Sequence, residues 1–218
     1  MSQLSDLKVT SAQFSQPKVN PAPLGLSAFA LTTFVLSLFN MGIGVPSGGP
    51  TQIIIGLALF YGGFAQIIAG VADFFSNNTF GATAFISYGA FWLSYAAILV
   101  PGFGIASGYS DAPDHSLDNA LGIYLLGWAI FTLILWFATL RSTVTLSAMF
   151  FILTLTFFFL SGAHLSHLPV GNVVTKIGGG LGLITAFLAW YNAAAALYNQ
   201  SNTFVRLPTG SLANLGNV

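Results

Sequence analysis

Cysteine and glutamate are both absent from this chain of 218 residues, and charge of either sign is scarce. Without cysteine there is no disulfide, no thiolate metal site and no thiol nucleophile. Only five basic residues (Lys8, Lys18, Arg141, Lys176, Arg206) and five aspartates (Asp6, Asp73, Asp111, Asp114, Asp118) carry formal charge. A soluble domain keeps about a quarter of its residues charged to stay hydrated; here the share is 5%, against 55% hydrophobic. The zero net charge excludes the basic footprint of a nucleic-acid binder. No hydrolase elbow, phosphate-cradling glycine loop or metalloprotease pair appears, so no enzyme, cofactor or metal site is expected.

What the chain does have is long apolar runs. A helix needs about 20 apolar residues to cross the hydrocarbon core of a bilayer. Six such runs fit, over residues 24–43, 51–72, 80–100, 120–140, 143–163 and 177–198. The Gly/Pro/Ser cluster at 44–50, the polar turn at 76–79, Pro101-Gly102, the acidic loop at 107–119, Arg141-Ser142 and the loop at 164–175 separate them. Both faces of each run are apolar, unlike the alternation of a barrel strand. In lipid such a run satisfies its backbone only as a helix. The prediction is an all-α integral membrane protein, six transmembrane helices in one bundle. The membrane domain spans residues 20–199, flanked by polar tails at 1–19 and 200–218. Six spans place both termini on one face. Putting them in the cytosol leaves Lys8, Lys18, Arg141 and Arg206 inside and only Lys176 outside, the favoured asymmetry. The acceptor motifs at Asn77 and Asn199 then both face the cytosol, out of reach of glycosylation.

Residues that could line a path are few and uncharged. Gly62, Ala65, Ala69, Gly70, Gly178 and Gly182 lie at spacings that suit close helix packing, with a narrow pore wall as the alternative. Thr32, Thr33, Asn40, Gln66, Ser87, Tyr88, Thr132, Thr154 and Asn192 are polar groups within the spans. Each needs a partner in lipid: a neighbouring helix, or a solute moving along a neutral path. A path without a fixed cation holds no anion tightly, but passes a small one on hydrogen bonds and helix dipoles. Asp73 closes the second run, either as a solvated boundary residue or as a coupling or gating acid. His115, His164 and His167 read as loop histidines; His164 and His167 have metal-like i, i+3 spacing, but no carboxylate or cysteine lies near them in sequence. The opening Asn20-Pro21-Ala22-Pro23-Leu24-Gly25 reads as a helix start, with Asn to cap it and proline in its first turn.

The run NPAPLGLSAFALTTF (Asn20 to Phe34) resembles the signature of the acetate uptake transporter family. FYGGFAQIIAG (Phe60 to Gly70), NTFGATAFISYGAFWLS (Asn78 to Ser94), GIYLLGWAIFTL (Gly122 to Leu133) and AWYNA (Ala189 to Ala193) are similar to further blocks of that family. The resemblance covers residues 20–198, and its wording is closer to the fungal branch. It implies a small six-span permease for acetate and related short carboxylates, succinate among them, in the plasma membrane. It also implies a homo-hexamer with a pathway in each protomer. The apolar constriction that the family carries falls on Phe29, Tyr88 and Leu153. The path and its entrance fall on Asn20, Pro21, Pro23, Leu24, Gly25, Thr32, Thr33, Asn40, Gln66 and Thr154, with Asp73 where the family usually has Glu. The alternatives are an ammonium or ammonia transporter, which an aromatic path without positive charge would suit, and a structural or sensory membrane protein without transport.

Overall fold

The computed structural model describes residues 19–198 and 201–213. The tail residues Asp6, Lys8 and Lys18, and Asn199 of the second acceptor motif, lie outside the described residues. Six helices are long and apolar enough to span a membrane: α1 (Ala22–Met41), α2 (Ile53–Phe75), α3 (Thr79–Leu99), α4 (Ser116–Thr139), α5 (Val144–Leu165) and α6 (Val173–Leu197). No strand forms among the described residues; one isolated antiparallel bridge joins Thr143 to Ser211. Every predicted span is recovered, with its ends shifted by a few residues. The shifts are informative, because the helices run past the apolar stretches. Asp118 now lies in the first turn of α4, Lys176 in the first turn of α6 and His164 in the last turn of α5.

Short polar side chains set several helix ends. Asn78, Thr143 and Asn172 accept hydrogen bonds from the backbone N–H of Gly81, Leu146 and Thr175, which caps α3, α5 and α6. Gly42 closes α1 in a left-handed conformation that its missing Cβ makes easy. Asn20 acts one residue early: its Oδ1 accepts from Ala22 N at 3.1 Å, and its amide donates to the Ala196 carbonyl at 3.4 Å. The starts of α1 and the end of α6 are thereby tied on one face.

Helix α1 packs against α6, α2 against α3, and α5 against both α4 and α6. Small residues permit this closeness. A Cβ on Gly62 would fall 2.9 Å from Thr32 Cβ and from the Trp92 ring, and one on Gly178 would meet Leu160 at 2.8 Å. In α2 the backbone widens to i→i+5 hydrogen bonding across Phe60–Ala65, a local departure that the smooth apolar run does not announce. Outward, the bundle presents large apolar side chains such as Phe60, Phe64, Ile123, Ile134 and Phe187. An aqueous surface would not tolerate that stripe, whereas a lipid solvent matches it.

Candidate functional site: a two-sided path with an aromatic neck

Two cavities enter the bundle from opposite faces. The larger, about 390 Å³, opens on the face where α1 begins and α6 ends, the termini side, between α1, α2, α3, α5 and α6. The smaller, about 180 Å³, opens on the far face, between α1, α3, α4, α5 and α6. Phe29 and Leu153 are the residues common to both walls. Tyr88 lines the termini-side cavity, with its ring centroid 5.6 Å from that of Phe29. All three side chains are buried. Residues far apart in sequence, on α1, α3 and α5, thus meet where the two cavities abut.

The Tyr88 hydroxyl does not hang free in this neck. It lies 2.8 Å from Thr132 Oγ1, and the Thr132 hydroxyl donates to the Trp128 carbonyl at 2.7 Å. With the threonine proton used, Tyr88 is the donor to Thr132. What it offers the neck is mainly its ring, held against Phe29, Trp128, Phe131 and Phe150. The pair gives an asymmetric expectation. Tyr88→Phe removes the donor and leaves Thr132 bonded to Trp128, costing about 0.5–1.5 kcal/mol. Thr132→Val strands a buried phenol and costs about 1–3 kcal/mol. Thermal unfolding in detergent reads the difference; equal losses would mean that the hydroxyl is satisfied elsewhere.

The remaining sequence-predicted path residues divide. Gln66 and Asp73 line the termini-side cavity, and Thr33 and Asn40 line the far one. Thr32 and Thr154 line neither; their hydroxyls bond the carbonyls one turn back, at Ala28 and Phe150. Leu24 is 42% exposed and faces away from the path. Gly25 is a packing position, since a Cβ there would strike the Phe85 ring at 2.7 Å. Pro21 is buried and Pro23 half-buried, and both stay outside the two cavity walls.

The solvated-boundary reading of Asp73 does not survive. The carboxylate is 3% exposed, because the turn at residues 76–78 lays the first turn of α3 directly over it. The Asp73 carboxylate therefore lies against Gly81 and Asn78, beside the partial positive charge of a helix start. Buried polar atoms without a partner among the described residues are Thr33 Oγ1, Gln66 Oε1, Asp73 Oδ2 and Trp92 Nε1. All four residues belong to the two cavity walls. Neither wall contains lysine or arginine.

The far face also departs from expectation. His164 Nδ1 lies 3.1 Å from Asp118 Oδ1, and His115 Nδ1 lies 3.8 Å from Asp118 Oδ2. His167 bonds Asn119 at 2.9 Å and stacks on His115 with centroids 4.2 Å apart. The carboxylate that the local sequence lacks is supplied from α4, across the α4–α5 contact. No metal-holding group of His, Asp or Glu forms among the described residues.

Other wall residues were not singled out from sequence. Trp92, Tyr95 and Tyr124 line the far cavity, where Tyr124 bonds Ser94 at 2.7 Å. For Trp92 and Tyr95 the available signal was their close spacing in one aromatic run with Phe91. Asn192, one of the polar span residues named from sequence, is fixed by Thr145 and the Leu188 carbonyl and lines the termini-side cavity. So do Leu207 and Thr209, from the stretch read as a polar tail, and nothing local in the sequence marks them.

A family model described as the GPR1/FUN34/yaaH family matches residues 4–214. The chain belongs to that family. It is 50% identical over 189 residues to Ammonia transport outward protein 2 of Saccharomyces cerevisiae, covering 85% of this chain and 64% of that one. It is 46% identical over 198 residues to Acetate permease A of Emericella nidulans, covering 87% and 65%. The chain thus spans a little under two thirds of the length of these curated relatives. A solved structure of the bacterial acetate channel SatP superposes with a TM-score of 0.73 at 40% identity, covering 88% of this chain and 99% of that one. With six apolar helices in this family's fold, the chain is an integral membrane protein.

Proposed function

We propose that this protein is a transmembrane channel or transporter that passes acetate and similar short monocarboxylates, with succinate at the edge of its range. The observation that carries the reading is the neck, where two cavities from opposite faces abut at Phe29 and Leu153 beside Tyr88. Its likeness to Acetate permease A and to the acetate channel SatP supplies the substrate class. An apolar neck penalises every ion by its lost hydration, least for a small monovalent one that carries a methyl group. Helices α1, α3 and α5 begin beside the termini-side cavity, and their dipoles favour an anion there without a fixed cation. The unpartnered polar atoms on wall residues add to the support, since water or solute entering the path would relieve them.

In this reading residues 20–199 form the transport domain, and the flanking tails lie in the cytosol. Arg141 and Arg206 stand on the termini side and Lys176 on the far side, in keeping with that orientation. The plasma membrane is the proposed location and a homo-hexamer the proposed assembly, each protomer with its own path. Asn40, Thr33 and Gln66 are its polar lining, and no catalysis is involved.

Proteoliposomes test it. Radiolabelled acetate uptake should be saturable and inhibited by propionate, and an acetate gradient should drive current without net proton movement. Absent uptake would sink the reading. Ammonium flux in its place would move the protein to the activity for which its yeast relative is named.

A further inference from the structure

The stretch after α6 turns back across the bundle. Gly210 and Thr209 present their carbonyls to the backbone N–H of Val144 and Thr145, at 2.8 and 3.3 Å. Leu212 N donates to the Ser142 carbonyl at 2.9 Å, completing the bridge between Thr143 and Ser211. On α6, the Tyr191 hydroxyl donates to the Pro208 carbonyl at 2.7 Å. Side chains of an extended segment alternate. Leu207 and Thr209 therefore turn inward into the wall of the termini-side cavity, while Pro208 and Gly210 stay exposed. The rest of that wall comes from the helices and their caps.

We propose that residues 207–212 are a lid over the termini-side mouth, seated in this structure and released to open the path. Two features favour a lid over a permanent anchor. The seat consists of a few backbone bonds, one bond from the Tyr191 hydroxyl and three half-buried side chains, Leu207, Thr209 and Leu212, the composition of a segment that opens at low cost. It also occupies groups that a solute would use. The first N–H groups of α5 have no partner within their own helix, and they point toward the mouth where an anion enters or leaves. The lid's carbonyls take them up while it is seated. Release exposes these donors and widens the mouth together.

Gly210 allows the lid to be unseated without touching a helix. Its φ is +68°, and a Cβ there would lie 2.9 Å from Val144 Cγ2, so valine cannot occupy the seated conformation. The chain has no cysteine, so Ala84→Cys, in the cavity wall, supplies a single thiol. In full-length protein, Gly210→Val should raise labelling of that thiol by a small membrane-impermeant thiosulfonate about tenfold from the termini side, as the seating bonds are lost. Tyr191→Phe, which loses one bond, should give a smaller increase. Unchanged labelling in both variants would overturn the proposal.

The flux arm rests on the acetate reading. Thr143 and Ser211 face each other as a closely spaced antiparallel pair, so Thr143→Cys with Ser211→Cys can form a disulfide. Oxidation should stop acetate flux and reduction restore it, with either single variant indifferent to both. Full flux through the oxidised, cross-linked protein would also overturn the lid. Faster labelling in a protein that carries no acetate would leave the lid standing and remove the substrate assignment alone.

Discussion

Replacing Leu153 by alanine should raise the ratio of lactate to acetate flux by about tenfold or more, on the scale by which an apolar pocket discriminates single carbon groups. Leu153 is the aliphatic residue of the neck and one of the two side chains that border both cavities. Its opposite number, Phe29, is braced by Tyr88, and Tyr88 by Thr132 and three further rings, so the aromatic side cannot move to refill the gap. Truncating leucine therefore enlarges the opening instead of letting the neck collapse. Stability should fall by about 2 kcal/mol, the low end for a buried Leu→Ala change, because cavities already flank the site. Leu153→Met, with nearly the same volume, is the control and should keep the parent ratio. Competing uptake of labelled lactate and acetate in proteoliposomes gives the answer. An unaltered ratio in Leu153→Ala would mean that the neck is not set by this side chain.

The fold and the path were legible to different degrees, for a physical reason. Six spans could be read because in lipid the signal is length without charge, and turns such as 44–50 and 76–79 interrupt it. Which side of each helix faces inward could not be read, since inner and outer faces are both apolar. Size carries that information instead: Gly62, Gly178 and Gly182 sit where neighbours come closest, while Phe60 and Phe64 point out. Phe29, Tyr88 and Leu153 were named through family resemblance, and no local pattern joins them. The fold brings them together geometrically, whereas it separates Thr32, Thr154 and Leu24 from the cavities. Contacts between one helix and the next element packed on it account for the misses. Asp73 is buried by the start of α3, Asp118 meets His164 across two helices, and the supposed tail reaches back to the head of α5. The Phe60–Ala65 widening has the same character, because Gly62-Gly63 tolerates it without requiring it.

Gly81→Ala is the second large effect expected, and it turns on the burial of Asp73. A Cβ at position 81 would collide with the Asp73 carboxylate and the Asn78 side-chain amide. Both groups line the termini-side cavity, so the carboxylate withdraws only by turning into that space and away from the helix start. Asn78 Oδ1 holds the Gly81 N–H at 3.1 Å as the cap of α3, and Asp73 is packed in the last turn of α2. An added methyl must therefore part α2 from α3, or push a carboxylate off the helix start that favours it. Overpacking of this kind costs about 1–3 kcal/mol, and displacing the carboxylate adds to it. If that clash is the cause, shortening the acid should cure it. Asp73→Ala alone should destabilise modestly, through the lost charge at the start of α3. The double variant Asp73→Ala, Gly81→Ala should melt well above Gly81→Ala alone, with a coupling of about 1–3 kcal/mol between the two sites. Additive losses would place the Asp73 side chain elsewhere, and would return it to the solvated boundary that the sequence first suggested.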